Sequence, residues 1–160
     1  MPLPPDFSIQ TVGKFQIVAL EGITQVIASL PASNISQNEL KKQGFGILKK
    51  LNLVESAVAS GVMFISRKNN LISIDPVVWV RDIQTLFYET ACASGTTAVA
   101  AVEFLKHREG SDPSQISKEF AIVQPSGEKL IARIKRLDNT LSIAIVGKVK
   151  ILKKNISLTI

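Results

Sequence analysis

The chain has one cysteine, one histidine, one tryptophan and one tyrosine among its 160 residues. A single cysteine excludes an internal disulfide, and a lone thiol suits a reducing compartment. No stretch reaches the roughly 18 uninterrupted apolar residues of a membrane-spanning helix, so no membrane partner is expected. Low-complexity tracts and composition shifts that would mark a linker are missing too. The opening MPLPPDFS has no basic start followed by an apolar run, so no secretory leader is expected and the expected compartment is the cytoplasm. Aromatic residues are only 6% of the chain, and its basic pairs (Lys41-Lys42, Lys49-Lys50, Arg67-Lys68, Lys153-Lys154) are scattered, without the interleaved rings of a single-strand platform. A nucleic-acid partner is therefore not expected, although a net charge of +6 and a pI near 9.6 favour small anions in general.

What is present is a globular composition, 46% apolar and 20% charged, long enough for one domain over residues 1–160. Residues 7–30 read as three strands, FSIQTV, KFQIVAL and ITQVIASL, broken at Gly13 and Gly22. Asn34 or Ser36 then caps a helix carrying Ile35, Leu40, Phe45, Leu48 and Leu51 at helical spacing; Gly44 and Gly46 weaken it, each by about 1 kcal/mol relative to alanine. Four strands follow, GVMFIS, NLISID, PVVWVR and DIQTLFY, with a hairpin turn over 67–70. A second helix is predicted from near Thr96, apolar on nearly every side through Ala98–Val102 and closed by Lys106, His107 and Arg108 ahead of Gly110. The remainder reads as EFAIVQ, a PSGE turn, KLIARIKRL, a turn at Asp138-Asn139, LSIAIVG and KVKILKK. The pattern implies a single α+β domain in which a mostly antiparallel sheet, a half-barrel, wraps around a buried central helix.

Cys92 stands just before that helix, followed by Ala93, Ser94, Gly95 and Thr96. The first turn of a helix has unpaired N–H groups and the positive end of the dipole, which together attract a carboxylate or phosphate and lower the pKa of a nearby thiol. Free cysteine is also a small apolar side chain common in cores, and local chemistry leaves both roles open. His107, roughly 16 Å along the helix at 1.5 Å per residue, is too far to act as its base and reads as a C-terminal cation.

The segment ETACASGTTAVAA resembles the second cysteine motif of the diaminopimelate epimerase-like family, which precedes the central helix of one lobe. EGITQVI, GVMFISR and VQPSGEKLIARI resemble, in order, flanking strands of that family's C-terminal lobe. The resemblance spans almost the whole chain but only half of a family member. It implies racemisation or epimerisation at an amino-acid α-carbon by two cysteines, one per lobe, without pyridoxal phosphate, metal or other cofactor. On that resemblance Cys92 is one acid/base. The amides of Ala93, Ser94, Gly95 and Thr96, with the hydroxyls of Ser94, Thr96 and Thr97, form a carboxylate cradle, and Glu89 faces the substrate. A complementary N-terminal lobe or a homodimer would supply the second base. Ala93 stands where the family usually has glycine, and the Glu-Arg-Gly element that grips diaminopimelate is missing, with Phe87, Tyr88 and Glu89 in its neighbourhood. Histidine or another amino acid is then as compatible a substrate as diaminopimelate. The alternative is a non-catalytic lobe that binds a small carboxylate or a partner protein through a docking surface, with Trp79, Phe87 and Tyr88 as its apolar members and Arg81 as a surface charge.

Overall fold

The computed structural model describes residues 9–30, 35–69, 71–108, 117–137 and 140–148. Within them the order is β1 (Ile9–Val12), β2 (Phe15–Leu20), β3 (Ile23–Ser29), α1 (Gln37–Lys50), α2 (Leu53–Ser56), β4 (Ala59–Lys68), β5 (Leu71–Val80), β6 (Thr85–Tyr88), α3 (Ala93–Arg108), β7 (Ser117–Val123), β8 (Lys129–Leu137) and β9 (Thr140–Val146). All strands join one open sheet in the order β1-β2-β3-β4-β5-β7-β8-β9, with β6 added beside β5. Pairing is antiparallel except at β3–β4, where Val26 lies opposite Val62, and at β5–β7. The chain is thus an α+β domain. No helix among the described residues is long and apolar enough to cross a membrane.

Alternate residues of the same strands feed two cores. Val26, Ala28, Val62, Phe64 and Val77 meet Leu40 and Leu48 of α1 on one face. Ile27, Met63, Ile65, Ile74 and Val78 meet α3 on the other, together with Phe120, Ile122, Ala132, Ile134 and Ile143 from β7 to β9. Ala98 to Val102 are each at most 1% exposed, which explains a helix that is apolar all round: the sheet encloses it. Glu103, buried near the far end, is neutralised by Arg67 at 2.6 Å and Lys106 at 3.2 Å.

Ser36 caps α1 as expected, its hydroxyl accepting from the Glu39 amide at 3.2 Å. Gly44 has a packing reason: a Cβ there would stand 2.9 Å from Val77 Cγ1, so the glycine lets α1 lie close on β5. NLISID and PVVWVR form one strand, not two, despite Pro76. The Pro76 carbonyl accepts from Glu89 on the side away from β4, and a residue's N and O point the same way, so the missing N–H removes no bond to β4. The short helix α2 was not legible from spacing, and α3 begins three residues earlier than predicted, at Ala93. Trp79 and Tyr88 do not join an exposed docking face. They lie on the α1 side, Trp79 against Phe45 with its indole N–H on the Val54 carbonyl, and Tyr88 bonded to Asp75. Phe87 points the other way and is half exposed. The expected Asp138-Asn139 turn, Gly110 and all of KVKILKK beyond Lys148 lie outside the described residues.

Candidate active site

The outer edge of β5 forks. Val77–Val80 pair with β6 while Ile72 and Ser73 pair with β7, and residues 89–92 run through the opening between them. Three bonds fix that passage. The Glu89 amide donates to Pro76 O at 3.0 Å, the Ser126 amide to Thr90 O at 3.1 Å, and the Cys92 amide to Gln124 Oε1 at 2.9 Å. Ser126 is held by the β7–β8 turn, where Gly127 takes φ +83°, a left-handed conformation open to glycine.

The chain then enters α3 with Cys92 in the capping position. Its Sγ accepts from the Gly95 amide at 3.3 Å and lies 3.5 Å from Ser94 Oγ. A Cβ at Gly95 would collide with Met63 Sδ and stand 3.1 Å from Cys92 Sγ, so glycine allows the sulfur to close on the helix end. The Cys92 carbonyl accepts from the Thr96 amide and from Thr96 Oγ1, at 3.0 and 2.7 Å. Gln124 Nε2 donates to Thr96 Oγ1 and to Ile122 O, both at 3.1 Å. From β3, Gln25 Nε2 donates to Ser94 Oγ at 3.0 Å. Gln25 is fully buried, and among the described residues its Oε1 and Thr85 Oγ1 are buried side-chain oxygens without a partner.

The electrostatics of the thiol run opposite to the dipole expectation. Cys92 is 3% exposed within the α3 core, and its pKa is pushed up to about 12. Burial contributes most, followed by the hydrogen bond to Glu89, whose charge adds to the effect; Ser94 and the Gly95 amide pull the other way and lose. At neutral pH the group is a thiol, a proton donor.

Of the expected cradle, the structure keeps part open. The Gly95 amide is taken by the sulfur, the Thr96 amide and hydroxyl by the Cys92 carbonyl, and the Thr97 hydroxyl by Ala93 O at 3.0 Å. Ala93 is exposed and Ser94 half buried; among the described residues their amides have no recorded acceptor, so these two are the groups free for an anion. Glu89 is half buried beside the thiol. Arg81 lies apart, on Asp82 at 3.0 Å and Glu55 O at 3.2 Å, as a surface charge does. Gln25 and Gln124 were missed by sequence reasoning. Gln25 had a signal, a polar side chain between Ile23 and Ile27 on the inward face of a strand. No group of three or more His, Cys, Asp or Glu among the described residues is placed to hold a metal ion. A cleft of about 190 Å³ around Phe15, Leu30, Gln43 and Phe64 lies on the opposite face and takes no part in the site.

Comparison with known proteins gives a family. Residues 6–156 match the family model described as the histidine racemase CntK N-terminal domain. A histidine racemase of Fusobacterium nucleatum subsp. nucleatum is 32% identical over 145 residues, 86% of this chain and 49% of that protein. A histidine racemase of a second strain is 33% identical over 118 residues, 71% of this chain and 38% of that protein. The chain spans about half, or less, of the length of the relatives it matches. A crystal structure of methylitaconate-delta-isomerase aligns with TM-score 0.42 and 12% identity, covering 82% of this chain and 36% of the other. The matched model describes an N-terminal domain, whereas the motifs of the sequence resemble those of a C-terminal lobe.

Proposed function

The chain belongs to the histidine racemase CntK N-terminal domain family, and from that premise we propose that it is one lobe of a cofactor-independent amino-acid racemase with Cys92 as one of two acid/base groups. The name of the matched model supports placing it as the first lobe, and the names of the relatives support histidine as substrate. The observation that carries the reading is the Cys92 sulfur. It is held protonated by burial and Glu89, while Ser94 Oγ and the Gly95 amide approach it at 3.5 and 3.3 Å.

In that reading the substrate α-carboxylate sits against the Ala93 and Ser94 amides at the positive end of α3, where charge grows as the α-proton leaves. A thiolate of the complementary lobe takes the α-proton, and the electron pair spreads into the carboxylate. Cys92 then gives its proton to the other face of the carbon and is left as a thiolate, with the Gly95 and Ser94 donors beside it. In the reverse direction the roles exchange. No metal or pyridoxal phosphate enters these steps. A second reading, a non-catalytic lobe binding a small carboxylate or a partner protein, draws on the near-complete burial of the sulfur and on exposed Phe87.

Chiral chromatography of L-histidine incubated with the chain and a complementary lobe separates the two. The catalytic reading expects D-histidine from the wild type and none above background from Cys92→Ser. Equal D-histidine from both would overturn it.

A further inference from the structure

We propose that Gln25 is a positioning residue for Cys92: its amide, buried under the first turn of α3, donates to Ser94 Oγ and thereby aims the Ser94 hydroxyl proton at the cysteine sulfur. The inference rests on the reading of Cys92 as an acid/base and deepens it. An amide nitrogen has no lone pair to accept with, so the Ser94 proton cannot go to Gln25 Nε2, 3.0 Å away. The other recorded neighbour of the hydroxyl is Cys92 Sγ at 3.5 Å. Once Cys92 is a thiolate its sulfur can only accept, so the hydroxyl then donates to it, and with the Gly95 amide at 3.3 Å it forms a pair of donors that favours the thiolate.

The cost of this arrangement is visible. Gln25 Oε1 is buried without a donor, an unfavourable state that a hydrocarbon side chain of the same shape would relieve. Space for the amide is made by Gly61 on β4, where a Cβ would collide with Gln25 Oε1. Glycine at 61 and glutamine at 25 thus fit each other across the β3–β4 pair, in which Gly61 is the register partner of Gln25. A residue that served only to fill the core would need neither the amide nor the vacated space. Around the sulfur, the titratable neighbour is Glu89 on its own segment. The groups that β3, β4 and the β7–β8 turn bring to this end of α3 are Gln25, Met63 and Gln124, all neutral.

The experiment is an NMR titration of the full chain with isotope-labelled cysteine, in which Cys92 gives the one signal. Gln25→Met should raise the thiol midpoint by about one pH unit, or lower the thiolate fraction about tenfold at fixed pH, with melting temperature unchanged or higher. Gln25→Glu, whose carboxylate accepts the Ser94 proton, should raise it at least as far. Gly61→Ala, which displaces the amide without altering it, should move the midpoint the same way and serves if a Gln25 variant does not fold. Unchanged midpoints in folded Gln25→Met and Gln25→Glu would overturn the inference while leaving the racemase reading intact. Equal D-histidine from wild type and Cys92→Ser would remove the racemase reading itself, whatever the midpoints.

Discussion

The two faces of the sheet are made from alternate residues of the same strands, yet they bury different chemistry. Toward α1, Val26, Ala28, Val62, Phe64 and Val77 meet Leu40 and Leu48, and the polar tips of Trp79 and Tyr88 each find a partner. Toward α3, Gln25, Cys92, Thr96, Thr97 and Gln124 are buried around one helix turn, while the next stretch of the same helix, Ala98 to Val102, buries only alanine and valine. Hydrocarbon would fill that volume more cheaply, since a buried polar group adds little net stability when paired and is costly when unpaired. The polar cluster is confined to the mouth of α3, where the sheet forks; folding alone gives no reason for it there.

The contrast can be broken most sharply by paired substitutions. Cys92→Ala should lower histidine racemisation by about a hundredfold or more while the chain stays folded. Leu48→Ala, fully buried on the α1 face, should cost about 2–5 kcal/mol in denaturant unfolding and leave activity per folded molecule unchanged. Matching losses of both kinds in both variants would erase the distinction.

Alkaline pH sharpens it further. The Cys92 thiol titrates at about 12 in the folded chain against 9.0 when unperturbed. A raised folded value means that its contribution is fully present below pH 9 and is lost as pH rises toward 12, up to roughly 4 kcal/mol. Unfolding curves across that window should fall less steeply in Cys92→Ala than in wild type. Parallel curves would place the sulfur in a wetter site than the structure gives it.

Smaller effects follow. Gly44→Ala gains about 1 kcal/mol of helix propensity but forces a contact with Val77, for a net loss of about 0–2 kcal/mol with no effect on the thiol. Glu89→Gln should lower the Cys92 pKa, though not to its ordinary value, because burial is the larger cause; alkylation rate against pH reads this. The exposed Arg133–Glu119 pair, on the solvent side of β7 and β8, should contribute about 0–1 kcal/mol when broken by Arg133→Ala.

Much of this architecture was legible in the sequence. The β-branched, largely apolar runs of β3 and β4 and the all-round apolar body of α3 carry the sheet and its enclosed helix, because composition and hydrophobicity decide what is buried on both faces. Pro76 misled by looking like a strand boundary; its harmlessness depends on which edge its backbone faces, a tertiary fact. The start of α3 was placed late because small residues that resemble a loop form its first turn once Cys92 caps it. The raised thiol pKa was invisible for a related reason: the helix dipole is local, but desolvation comes from Met63 and the rest of the core, far away in sequence.

The central claim, that Cys92 delivers a proton to the α-carbon of histidine, is met most directly by isotope exchange in deuterated water, with the chain and a complementary lobe present. Wild type should place solvent deuterium at the α-carbon of the D-histidine it forms, and Cys92→Ala should place none above background. Deuterated D-histidine formed at the wild-type rate by Cys92→Ala would contradict the account.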